Sequence, residues 1–188
     1  GNSVGFGGAG AEVYTPFTTT TSGTIYTAFL MNVADMSNLT TDGTQSYIVG
    51  LTGEIEGTNV PYNARLWVQK SGTQYKIGLS SAATTTNYTT TLYNEGDVAM
   101  VVLGFDYANN TYSAWINPTL ATFNASTTPT LTDVATAAPA NFAAVILRQD
   151  SDTVTPANII VDELRIMTDL STLSRQSNDI AGFAMFPN

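Results

Sequence analysis

The stretch VAMVVLGFDYANNTYSAWINP, Val98 to Pro118, decides the fold. Its first half, Val98–Leu103, is apolar without alternation, which predicts a central strand covered on both faces. The segment Ala108-Asn109-Asn110 then supplies a tight turn, because Asn tolerates the left-handed backbone region better than most side chains. Thr111–Asn117 runs back, and Pro118 closes it. The stretch is therefore a β-hairpin, and a central hairpin implies an antiparallel sheet.

The same grammar recurs on either side. In RLWVQKSGTQYKIGLS (residues 65–80), Ser71-Gly72 can take the positive-φ geometry of a turn between strands of opposite direction. Further strands are expected at Ser3–Phe6, Glu12–Phe17, Gly23–Asn32, Gln45–Thr52, Asn87–Leu92, Phe142–Gln149 and Ile159–Thr168. Helical signals are confined to single turns at Asp133–Ala138 and Ser171–Ser177. The Ala/Thr/Pro-rich segment Ala121–Ala140 separates two strand regions. Composition agrees: 31 threonines stand against six Lys plus Arg, and Thr, Tyr, Val and Ile suit a pleated, half-buried surface. The threonine tracts Thr18–Thr21 and Thr84–Thr86 read as exposed strand edges and loops. A chain of 188 residues fits one all-β domain with one core.

Charge and residue usage exclude several functions. The net charge is −9, and the six cations, Arg65, Lys70, Lys76, Arg148, Arg165 and Arg175, are scattered, so nucleic acid is not an expected partner. There is no His and no Cys, hence no Ser-His-Asp triad, no Cys nucleophile and no zinc or copper site of the usual ligands. No apolar run reaches the roughly 18 residues of a transmembrane segment.

Three separated phrases carry a resemblance: GNSVGFGGAGAEV (1–13) followed by SGTIYTAFLMNV (22–33), the central hairpin, and NIIVDELRIMTD (158–169). Together they resemble the concanavalin A-like, laminin-G-like jelly rolls of secreted Bacteroidetes proteins. The resemblance implies two antiparallel sheets of about six or seven strands each, with the first and last strands side by side. The terminal AGFAMFPN (181–188), an aromatic pair leading into Pro187-Asn188, resembles the opening of the C-terminal sorting domain on type IX secretion cargo. On that reading residues 1–180 form the jelly roll and 181–188 a linker to the sorting signal. The protein is then exported to the cell surface or beyond by the type IX machinery, cut from a longer precursor.

Relatives of this fold include hydrolases, lyases and lectins, so chemistry must come from side chains. Paired catalytic acids are not in evidence: Glu54 and Glu56 lie between Gly53 and Gly57, and the adjacent Asp162 and Glu163 would face opposite ways on a strand. The expectation is a protein that is not an enzyme. Sugar binding without catalysis needs aromatic faces and amide or charged groups. If Ala64–Lys70 is a strand, Arg65, Trp67 and Gln69 share a polar, ligand-accessible face. With Tyr62 and Trp115 they form the candidate glycan site, although a tryptophan in a sandwich also serves as core or packs under a loop. Asp150 and Asp152, two apart in one loop, are the candidate calcium ligands. Asp152-Thr153-Val154 resembles the O-glycosylation sequon of Bacteroidetes, with Thr153 the acceptor. The leading expectation is a secreted glycan-binding or adhesion module; the alternative is a structural stalk or assembly domain with no ligand site.

Overall fold

The computed structural model describes residues 3–53, 62–85 and 87–173. In chain order these contain β1 (Val4–Phe6), β2 (Val13–Thr20), β3 (Thr24–Asp35), β4 (Gln45–Thr52), β5 (Tyr62–Ser71) and β6 (Gln74–Ser80). They continue with β7 (Tyr93–Asn94), β8 (Val98–Asp106), β9 (Thr111–Ile116), β10 (Leu131–Val134), β11 (Phe142–Leu147) and β12 (Asn158–Met167). A short 3-10 turn, Leu170–Thr172, follows. The strands form two six-stranded antiparallel sheets, ordered β1-β12-β3-β8-β9-β10 and β2-β11-β4-β5-β6-β7. The first and last strands pair, Val4 opposite Val161, as the jelly-roll resemblance implied.

The central hairpin forms as expected. β8 pairs with β9 through Asp106 opposite Thr111, and Asn110 takes φ 52° in the turn. The β5–β6 hairpin closes with Ser71 opposite Gln74, so its turn is Gly72-Thr73, one residue later than expected, and Gly72 carries the positive φ of 62°. The apolar run of β8 lacks alternation for the predicted reason: it is buried on both sides. Val101, Leu103 and Phe105 point between the sheets, while Val102 lies beneath a second cluster on the outer face made by Tyr26, Ala28, Trp115, Leu170 and Leu173. Val98 departs from this, being 59% exposed where the strand begins.

Two expectations are corrected. Asp133–Ala138 is no helical turn: Leu131–Val134 is strand β10, pairing Leu131 with Ala114 and burying the leucine in the core. Edge pairing and one buried leucine outweigh the weak helical signal of alanine. Asn87–Leu92 is not a continuous strand either; Tyr88 makes an isolated bridge to Gly78, and pairing resumes in the two residues of β7. The turn expected at Ser171–Ser177 starts one residue earlier, and its part beyond Leu173 lies outside the described residues, as does 181–188.

The main core is fastened by an aromatic knot. Phe105 lies 4.5 Å from Tyr112, 4.8 Å from Tyr107 and 5.2 Å from Phe142, ring centre to ring centre, which joins the hairpin to the opposite sheet through β11. Tyr75 and Tyr112 are both fully buried, and burial raises both phenol pKa values well above the usual 10. A raised folded-state value means that the unfolded chain releases these protons first. The stability they confer is intact below pH 10 and drains away as pH rises toward the folded-state values, by up to about 1.4 kcal/mol per pH unit for each group. Denaturant unfolding measured at stepped pH should therefore show stability falling steeply above pH ~10. Tyr112→Phe should flatten that slope.

Candidate functional site

The outer face of the sheet β2-β11-β4-β5-β6-β7 gathers most of the residues singled out in the sequence. Successive side chains of a strand point to opposite faces, so burying Ala64, Leu66 and Val68 between the sheets turns Arg65, Trp67 and Gln69 outward. Register then sets their neighbours. Arg65 lies opposite Ser80, Trp67 between Tyr47 and Gly78, and Gln69 between Gln45 and Lys76.

Trp67 is on the expected face but not open to a ligand. It is 5% exposed, meets Tyr47 edge-on at 5.2 Å and donates its indole N–H to Ser80 Oγ at 2.8 Å. Its other cross-strand neighbour is Gly78, over which the Tyr88 ring lies; a Cβ at Gly78 would come within 2.6 Å of Tyr88 Cε1. With its ring packed on Tyr47 and its N–H satisfied, Trp67 presents little surface to solvent. Trp115 follows the other reading given for it, a tryptophan packed under a loop. It sits on the outer face of the other sheet, 6% exposed, its N–H donated to the Thr127 carbonyl at 2.7 Å and its ring 5.5 Å from Phe123. It packs under the 117–130 segment, far in topology from Trp67, and the two do not share a site.

Around Tyr47 the face becomes cationic and aromatic. The Arg148 guanidinium lies 4.0 Å from the Tyr47 ring centre and that of Arg65 5.3 Å, with the Tyr62 ring 5.6 Å away. Glu12 accepts from the hydroxyls of Tyr62 at 2.7 Å and Tyr14 at 3.0 Å, and lies 3.5 Å from Arg148 Nε. Arg148 also meets Asp150 at 3.1 Å. Burial, reinforced by the bonds to Tyr14 and Glu12, pushes the Tyr62 phenol well above its ordinary pKa, so Tyr62 is a neutral donor.

Beside this cluster opens a groove of about 1060 Å³, lined chiefly by Thr44, Gln45, Gln69, Lys76, Tyr88 and Thr89. Gln45 Oε1 accepts from Gln69 Nε2 at 3.1 Å and from the Tyr88 hydroxyl. Burial pushes the Tyr88 phenol up to about 12, so it too stays a donor. The remaining Gln45 amide N–H groups, the Gln69 carbonyl oxygen and the Lys76 ammonium have no partner among the described residues. Gln45 and Lys76 were not singled out from sequence; they enter through cross-strand register with Gln69, which no single strand reveals. On the other sheet a smaller hollow of about 410 Å³ lies by Tyr26, Gly104, Asp106 and Trp115, but the Asp106 carboxylate is engaged by the Ala108 N–H and the Asn109 side chain.

The two acids of the loop after β11 each have a partner within the chain. Asp150 turns to Arg148, while Asp152 accepts the Ala9 N–H at 2.8 Å. No group of three His, Cys, Asp or Glu side chains suited to a metal occurs among the described residues. Thr153 is exposed, its hydroxyl 3.1 Å from that of Ser151. Glu163 adopts φ 53° at a bulge in β12 and pairs with Arg165 at 3.1 Å, so a bulge, not plain alternation, governs the Asp162-Glu163 pair. Glu54 and Glu56 lie outside the described residues.

No protein-family model matches the sequence, and no curated protein matches it. Solved structures do. A heptameric SAP-like pentraxin from Limulus polyphemus superposes with a TM-score of 0.52 at 11% identity, over 85% of this chain and 72% of that one. Lectin I-B4 from Griffonia simplicifolia follows at 0.48 and 10%, over 83% and 80%. An alginate lyase from Pseudomonas aeruginosa gives 0.47 and 8%, over 78% of this chain and 65% of the lyase. At 11% identity the pentraxin match speaks for the fold, an antiparallel jelly-roll sandwich, and leaves the chemistry to the site.

The support role of Gly78 is testable. Gly78→Ala places a methyl where the Tyr88 ring lies and should cost about 1–3 kcal/mol. In a double-mutant cycle with Tyr88→Ala, the alanine at 78 should cost much less once the ring is gone, as read by denaturant unfolding followed through tryptophan fluorescence.

Proposed function

We propose that the protein is a secreted, non-catalytic glycan-binding module whose ligand lies along the outer face of the sheet carrying β5. The groove beside Gln45, Gln69 and Lys76 carries this reading, because it combines an open channel with hydrogen-bonding groups that nothing in the described chain satisfies. Sugar hydroxyls are both donors and acceptors, and a site that presents amide N–H, amide C=O and ammonium groups side by side can meet them in bidentate fashion. Gln45 is held by Gln69 and Tyr88, so its free N–H groups are oriented before a ligand arrives.

Export is supported by the resemblance of residues 181–188 to a type IX sorting start, and by a threonine-rich, sparsely charged composition. The exposed Thr153 in Asp152-Thr153-Val154 fits a glycosylated surface loop. Among the described residues no helix is long and apolar enough to cross a membrane.

A printed glycan array, followed by calorimetry on the best hit, tests the reading. Gln69→Ala and Lys76→Ala should each weaken binding about tenfold, with stability lowered by about 1 kcal/mol for Gln69→Ala, which also loses the bond to Gln45, and by no more than about 0.5 kcal/mol for Lys76→Ala. Failure of the unmodified protein to bind any glycan would refute the proposal, as would indifference of a genuine ligand to both substitutions.

A further inference from the structure

The chain has 15 acidic and six basic residues, so every cation could have been given a carboxylate. The ion pairs among the described residues are Arg148 with Glu12 and Asp150, and Arg165 with Glu163. Arg65 has none. Its Nη1 makes one long bond to the Ser81 carbonyl at 3.4 Å, and its Nε is buried without a hydrogen-bond partner. Asp133, which reaches the same turn, is engaged by the Ser81 N–H at 2.5 Å and the Val134 N–H at 3.0 Å. Arg65 also shares the Tyr47 ring with a second guanidinium, Arg148, whose two carboxylates neutralise Arg148 but not Arg65. Burial lowers the Arg65 pKa, in keeping with a guanidinium stripped of water and not repaid by an anion.

A half-buried arginine with no ion-pair partner among the described residues of an acidic protein is a place where an external anion relieves a desolvation cost. Its planar fork matches a carboxylate or sulfate through two parallel hydrogen bonds. On the same face, Lys76 adds a second uncompensated cation opposite Gln69. Four residues of extended strand separate Arg65 from Gln69, about 13 Å, so a ligand reaching both is a chain and not a single sugar.

We infer that the ligand of this face is an anionic oligosaccharide, a carboxylated or sulfated glycan whose acidic group is received by Arg65 and whose neighbouring unit runs past Gln69 to Lys76. The inference rests on the glycan-binding reading and narrows it to one class of sugar.

Calorimetry of the full chain against four probes decides the matter: an oligogalacturonate, a carrageenan oligosaccharide, a neutral galactan oligosaccharide and polyglutamate. At least one acidic sugar should bind about tenfold or more tightly than the neutral one, and should weaken as salt is raised. Preference between the first two probes assigns carboxylate or sulfate. Arg65→Gln should lose that preference about tenfold, and Arg65→Lys, which keeps the charge but not the fork, should also bind more weakly while keeping the wild-type melting temperature. Arg165→Gln, on the other sheet, should bind as the wild type does. If neutral galactan binds as tightly as the acidic sugars, or if both Arg65 variants bind unchanged, the inference is overturned while the glycan reading stands. Polyglutamate binding equally well would overturn it by showing that charge alone is recognised. If no sugar binds, both readings fall together.

Discussion

The pleat of β5 is the constraint from which the rest of the molecule follows. Ala64, Leu66 and Val68 must enter the space between the sheets, and a period of two leaves no freedom for the residues between them. A slip of one position would bury Arg65 and Gln69 in an apolar core and expose Leu66 and Val68. The penalty for a buried, unpaired charge makes that register prohibitive. Core formation and the exposure of the polar face are thus a single event, and the hydrophobic drive that joins the sheets also sets Arg65, Trp67 and Gln69 in a row.

What the outer face then does with that row depends on its neighbours. Trp67 is packed against Tyr47 on one side and, on the other, lies opposite Gly78, which the Tyr88 ring covers. Gly78 is what permits this, because any Cβ there would occupy the place of the Tyr88 ring. Tyr88 in turn reaches Gln45, and Gln45 fixes Gln69. A chain of contacts therefore runs from an apolar support to the polar lining of the groove, holding its amides in one orientation.

The architecture was legible in sequence wherever local signals and burial agree. Asn110 and Gly72 announce their hairpins because few residues tolerate positive φ, and the unbroken run of β8 announces double coverage because both of its faces are packed. Legibility failed where pairing is decided from a distance. β10 has four residues, one buried leucine and an alanine-rich sequel, so nothing local distinguishes it from a turn; its partner β9 does. The face of Trp67 was predictable from alternation, but its closure was not, since Tyr47 and Tyr88 arrive from other strands and loops. Gln45 and Lys76 escaped notice for the same reason: a strand's sequence gives the face of each residue, never the identity of the residue opposite.

Electrostatics adds an asymmetry that packing does not require. Arg65 and Arg148 flank the same tyrosine, yet one is enclosed by Glu12 and Asp150 and the other pairs with no acid among the described residues. A cation held near an aromatic ring gains some compensation from the ring's negative face, which lets Arg65 remain charged while half-buried. The ring offers no acceptor in the plane of the guanidinium fork, so the site retains an attraction for anions that Arg148 has already satisfied internally. In a protein of net charge −9 such a spot also stands against a repulsive background, so a polyanion is held off over most of the surface and admitted at one face. Selectivity on this surface thus comes as much from the acids elsewhere as from the arginine itself.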